Sequence, residues 1–327
     1  MANEINRNLQ ERKYCSAVFL DISQAFDKVW HVGLKYKLKK ELPYHIYEII
    51  NSYLSNRSFV VKCLDEKSPV CLAKSGVPQG SVLGPVLYLI YTADLPTTNN
   101  SICATFADDT VIMASHENPD KASIYLQENL NKIQDWLQIW RIKANESKSV
   151  HVTFTMKRKT CPPVKLNNTQ IPQADVAKYL GMHLDRRLTW KTHIWNKRKQ
   201  LGLTMRKYYW IMSRTSQLTT ENKLLVYKSI VKPIWMYGIQ LWGSASDSNI
   251  EIIQRFQSKT LRMIVNAPWF VQNAEIHKDT KMKTVKEEIE NARARYKDRL
   301  KNHPNQLAKE LVKNKNVGRL KRKVIDL

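Results

Sequence analysis

Asp108 and Asp109 stand side by side in TFADDTVIMA, with apolar and β-branched residues on both sides. The runs at 102–106 and 110–114 predict two short strands joined by an acidic tip. Holding two carboxylates this close costs repulsion, which a divalent cation offsets. A third acid, Asp21, ends another apolar run, YCSAVFLD, which predicts a buried strand. Three carboxylates on buried strands suit a two-metal phosphoryl-transfer site. A plainer reading stays open on these residues alone: an Asx-type turn at a hairpin tip, with Asp21 as a strand-end cap.

The surrounding pattern is mixed. A helix is expected over 46–54 and a hairpin around Phe59–Lys62 and Val70–Ala73. GVPQGSVLGP, with three glycines and two prolines, interrupts regular structure before VLYLIY. Leu126, Leu130, Ile133, Leu137 and Trp140 are spaced for one face of an amphipathic helix. SVHVTFT alternates from Ser149 to Thr155, as a half-buried strand does. Lys157–Thr160 and Pro162–Pro163 predict a seam, and KYLGMHLDRRLTW a hairpin near Gly181. From about Thr192 onward helix signals dominate. Ser248 and Glu251 have capping-box spacing, ahead of a helix with Ile253, Phe256, Thr260 and Met263 on one face. Arg255, Lys259 and Arg262 form a basic stripe on another.

Charge narrows the partners. Lysine and arginine number 53 against 29 acids, a formal net charge of +24. Such an excess points to a polyanion. No run of about 18 apolar residues is present, so nucleic acid is favoured over a membrane. Five cysteines without CxxC spacing fit reduced, mostly buried thiols rather than disulfides or a zinc site.

Four segments then carry a resemblance: FLDISQAFDKVWH (19–31), SGVPQGSVLGPVLYLIYTADLP (75–96), TFADDTVIMA (105–114) and KYLGMHLDRRLTWKTHI (178–194). With IQRFQSKTLRMIVNAPWFVQN (253–273), they resemble the reverse transcriptase of non-LTR (LINE-type) retrotransposons, in particular the jockey-like elements of insects. The resemblance spans nearly the whole chain. It implies an α+β fold, a right-hand polymerase palm of antiparallel sheet and packed helices followed by a helical thumb, with fingers mostly absent. The implied boundaries are palm 1–160, primer-grip hairpin and connection 161–195, thumb 196–275 and a basic helical tail 276–327. Relatives carry an endonuclease domain and fingers ahead of the first motif. Only 18 residues precede Phe19 here, which implies an N-terminally truncated copy or a fragment of a longer reading frame.

The resemblance also implies RNA-directed DNA polymerase activity, extending a DNA primer 3′-hydroxyl on an RNA template with dNTP. Two Mg²⁺ ions, or Mn²⁺ in their place, would be held by Asp21, Asp108 and Asp109. Phe26 would be the aromatic gate against a 2′-hydroxyl, with Ile22, Gln79, Gly80 and Lys148 around the nucleotide. Gly76 and Gly80 would let backbone approach nucleic acid. Tyr179, Leu180 and Gly181 would grip the primer, and Arg255, Lys259 and Arg262 would follow the duplex. Plainer alternatives are a core Phe26, a solvated Lys148 and a solvated basic face. The implied setting is intracellular: the nucleus for target-primed synthesis, or a cytoplasmic ribonucleoprotein. The alternative function is an inactive remnant that binds RNA or RNA–DNA duplex. Oligomeric state is not legible.

Overall fold

The computed structural model describes residues 1–313. They divide into two compact units. One is Lys13–Ala177; the other joins Met1–Arg12, with helix α1 (Ala2–Gln10), to the chain from Lys178.

The first unit is built on a four-stranded antiparallel sheet of β1 (Tyr14–Leu20), β2 (Ser101–Phe106), β3 (Asp109–His116) and β4 (Val150–Phe154). Their order is β2–β3–β1–β4. β1 is buried at every position. A central strand covered on both faces needs a continuous apolar run, which is what YCSAVFL supplies.

Between β1 and β2 come α2 (His31–Glu41), α3 (Tyr44–Leu54) and α4 (Leu83–Thr92). They share a core of Leu34, Leu38, Ile50, Leu54, Leu87 and Tyr91. Lys37 is buried against it, 3.6 Å from the centre of the Trp140 ring. Its ammonium donates to Tyr91 O and Asp94 Oδ1, each at 2.5 Å. Burial lowers the Lys37 pKa, and Asp94 opposes that shift. The expected hairpin is present, with Ser58–Phe59 pairing Cys71–Leu72.

Helix α5 (Pro119–Ile139) starts where the Asn118 side chain accepts from Asp120 N–H and proline takes the first turn. Leu126, Leu130, Ile133 and Leu137 are buried, and pack with Val18, Leu20, Ile112 and Ala114 of the sheet. The seam expected near 160 is not a boundary. Val164, Leu166 and Ile171 join the same core, and Ser123 Oγ donates to Pro162 O at 2.7 Å. This unit therefore runs to Ala177.

The second unit is helical, as expected. Strands β5 (Val176–Tyr179) and β6 (Met182–Asp185) pair as the hairpin that leads into it. Its main helices are α6 (Lys191–Lys207), α7 (Asp247–Ile264), α8 (Asn273–Asp279) and α9 (Val285–Lys301). Trp190, Trp235 and Trp242 are fully buried in it.

Several expectations are corrected. Helix α7 begins at Asp247, so Ser248 lies inside its first turn and bonds Ser246 Oγ instead of forming a capping box. Asp247 supplies the negative charge that a helix N-terminus favours. Within the segment expected as a basic helical tail, helix α9 is packed: Lys232 reaches Glu288 at 2.6 Å, and Val285 and Ile289 are buried. All five cysteines are free, but only Cys15 and Cys161 are buried, while Cys63 and Cys71 are exposed. Arg319, Lys321, Arg322 and Lys323, the basic end of the sequence, lie outside the described residues. Among the described residues, no helix is long and apolar enough to cross a membrane.

Candidate active site

Strand register assembles the acids. Leu20 pairs with Thr110, so Asp21 leaves β1 level with Asp109, the first residue of β3. Phe106 pairs with Asp109, which leaves Ala107 and Asp108 as a two-residue turn. Ala107 takes φ 53°, a left-handed conformation costing a residue with a Cβ roughly 1–2 kcal/mol. All three carboxylates are exposed. Partial desolvation holds the Asp109 carboxyl above its ordinary pKa even though the residue is exposed, and the charges of Asp108 and Asp21 push the same way. Burial also raises the Tyr88 phenol, with Asp108 adding to it. The Phe26 ring lies 4.8 Å from the Tyr88 ring. Asp21, Asp108, Asp109, Tyr88 and Phe26 thus share one end of the sheet.

The donor chemistry fits a hard divalent cation: three carboxylate groups, one of which resists ionising beside the others. Among the described residues, no three acidic, histidine or cysteine side chains are already grouped as a metal cluster.

What fixes Asp21 was not legible. Its N–H donates to Ser149 Oγ at 3.1 Å, and its carbonyl accepts from Asn145 N–H at 2.7 Å. Ser149 Oγ in turn donates to Asn145 O at 2.8 Å. Ile22 bridges Ala144, and Ser23 N–H reaches Lys143 O at 2.8 Å. The sequence pattern reads Ser149 only as the start of a strand; its hydroxyl is fully buried and serves the Asp21 backbone. Ser149→Ala is expected to cost roughly 1–3 kcal/mol in urea denaturation, and Ser149→Thr to recover most of it. An alanine variant as stable as the original would remove this role.

Other expected residues fall as follows. Gln79 Nε2 donates to Asp27 Oδ1 at 2.8 Å. Gly76 is needed by the chain itself, since a Cβ there would lie 2.8 Å from Asp27 O. Gly80, at φ 81°, is open: a Cβ would meet nothing within 4 Å. Beside them is a cleft of ≈ 730 Å³ lined in part by Arg57 and Lys74, two cations the sequence pattern does not single out. Lys148 is exposed on the Asn145–Ser149 turn.

The remaining residues belong to the second unit. Leu180 and Gly181 form the hairpin turn, at φ 45° and 72°, and Tyr237 OH donates to Leu180 O at 2.6 Å. Tyr179 is buried. Arg255 and Lys259 are exposed on α7. Arg262 leaves the basic stripe, because its guanidinium donates to Pro268 O, Val271 O and Asn273 Oδ1.

An antiparallel sheet with acids at one end, backed by a long helix and followed by a helical region, has the fold class of a polymerase palm and thumb. The chain belongs to the reverse transcriptase (RNA-dependent DNA polymerase) family, whose model matches residues 2–184. Its relatives are non-LTR transposon polymerases. It is 42% identical over 95% of its length to the "Probable RNA-directed DNA polymerase from transposon X-element" of Drosophila melanogaster, covering 35% of that protein. It is 37% identical over 93% of its length to the RNA-directed DNA polymerase from mobile element jockey of the same species, covering 34% of it. The chain therefore spans about a third of the length of these relatives. A solved Candida albicans telomerase, in complex with a fragment of telomeric RNA, covers 98% of this chain and 53% of its own at 15% identity. The TM-score of that match is 0.42.

Proposed function

We propose that this chain performs RNA-directed DNA synthesis for a non-LTR retrotransposon, extending a DNA primer 3′-hydroxyl on an RNA template with dNTP. The observation that carries this reading is that strand register places Asp21, Asp108 and Asp109 at one end of the sheet, within the family-matched segment. These carboxylates would hold Mg²⁺ or Mn²⁺, which supplies Lewis-acid activation of the primer hydroxyl and neutralises the triphosphate. The Asn145–Ser149 turn holds Asp21 in place. Phe26 would press on the sugar, Gln79 and Gly80 would border the nascent pair, and Lys148 would be the proton donor to pyrophosphate. Tyr179–Gly181 would support the primer end. Nuclear target-primed synthesis is the setting this chemistry suits.

Primer extension tests it: with an RNA template annealed to a DNA primer, dNTP and Mg²⁺, this chain alone is expected to give weak extension, which Asp108→Asn with Asp109→Asn abolishes. Duplex binding without any extension would favour the inactive RNA–DNA-binding remnant instead. Duplex affinity is also expected to fall steeply with salt. Removing both Arg255 and Lys259 should flatten the log–log slope by about 1–2. A slope unchanged by that double substitution would remove the basic face from the duplex site.

A further inference from the structure

Arg262 builds a display loop. Its guanidinium donates to Pro268 O at 2.5 Å, Val271 O at 2.7 Å and Asn273 Oδ1 at 2.9 Å. Ala267 N–H returns to Arg262 O at 3.0 Å, and Val271 N–H closes onto Pro268 O at 3.3 Å. At the tip of this clamp, Trp269 is 89% exposed and Phe270 is 68% exposed. Their rings stand edge to face, 6.0 Å apart. The tied loop presents both rings to solvent. Large exposed aromatic surface of this kind marks an interaction site, and its prior ordering removes part of the cost of binding.

Charge identifies the partner. Lys259 and Arg255 stand one and two turns back along α7 from Arg262, both exposed. Lys278, Lys281 and Lys283 follow the loop and are exposed as well. Residues 255–283 hold six lysines and arginines against two acids, Glu275 and Asp279. An apolar protein surface would not call for that excess, and a duplex keeps its base faces stacked inside. Aromatic faces beside a cationic track suit unpaired nucleic acid, where bases stack and phosphates follow the charge.

We propose that Trp269 and Phe270 form a stacking platform for unpaired RNA, with the exposed Lys278, Lys281 and Lys283 along its backbone. The choice of RNA rests on the polymerase reading above, in which RNA is the strand present before synthesis begins. Fluorescence anisotropy with a short labelled RNA free of self-complementarity tests it on the full chain. Trp269→Ala with Phe270→Ala is expected to weaken binding by roughly 5–150-fold. Affinity for an abasic RNA of the same length should stay unchanged, and Trp269→Tyr with Phe270→Tyr should retain most of the RNA affinity. An unchanged RNA affinity, an equal loss on the abasic strand, or a larger loss on single-stranded DNA than on RNA would overturn the proposal. So would a drop in sedimentation mass with RNA binding intact, which would make the pair a self-association surface. Asp108→Asn with Asp109→Asn separates the two readings. It should abolish extension and leave RNA affinity alone, so that either reading can fail without the other.

Discussion

Asp109→Asn is expected to lower primer extension by about three orders of magnitude and to abolish the thermal stabilisation expected of Mn²⁺ on the unsubstituted chain. The rate effect follows from removing one of three carboxylates that would hold the ions, since metal stabilisation of developing charge is worth several kcal/mol. The stability effect follows from electrostatics. Partial desolvation raises the folded pKa of Asp109, with Asp108 and Asp21 adding to it. A carboxyl whose folded pKa exceeds its unfolded value favours folding while protonated. That advantage is complete below the unfolded pKa of about 3.9 and is lost as pH rises through the folded value. At neutral pH the site therefore carries repulsion that a bound cation relieves. The unsubstituted chain should melt higher with Mn²⁺ near neutral pH and gain little near pH 4, where the unfolded carboxyl itself begins to protonate. An equal Mn²⁺ gain in Asp109→Asn would place the ion elsewhere, and undiminished extension would remove Asp109 from the chemistry.

Trp242→Ala should cost about 3–5 kcal/mol in urea denaturation, the range for deleting a buried tryptophan. The side chain is 1% exposed, and its N–H is shared between Trp235 O at 3.1 Å and Tyr237 O at 3.2 Å. Trp235 and Trp190 are buried in the same unit, with Trp190 Nε1 bound to Ser244 Oγ at 3.0 Å. Trp242→Phe keeps much of the apolar area but leaves two carbonyls without that donor, so an intermediate loss is expected. An alanine variant within about 1 kcal/mol of the original would show that this aromatic core does not hold the helical unit together.

Much of the fold was readable because it depends on period and run length. The continuous apolar run YCSAVFL became β1, the ADD tip a two-residue turn, and the leucine spacing of 126–137 the buried face of α5. The family motifs placed the acids in the same way, since the chain order of strand, turn and strand is local information. Some residues have a second task in space that the pattern does not show. Gly76, whose expected task is to admit nucleic acid, is also needed for the close approach of Asp27, and Arg262 of the basic stripe ties the 268–273 loop. The prolines at 162–163 marked a local break, yet the segment after them still packs on α5.

Chain order and hydrophobic period mark which residues could carry the chemistry and on which elements they lie. Hydrophobic periodicity and motif order are properties of neighbours along the chain. How those residues are held depends on contacts between segments far apart in the chain. The Ser149 hydroxyl meets the Asp21 amide across 128 positions of sequence, and three buried tryptophans close a core that no periodicity marks. Contacts of this range arise from burial, because a polar group taken out of water must find a partner wherever the fold brings one.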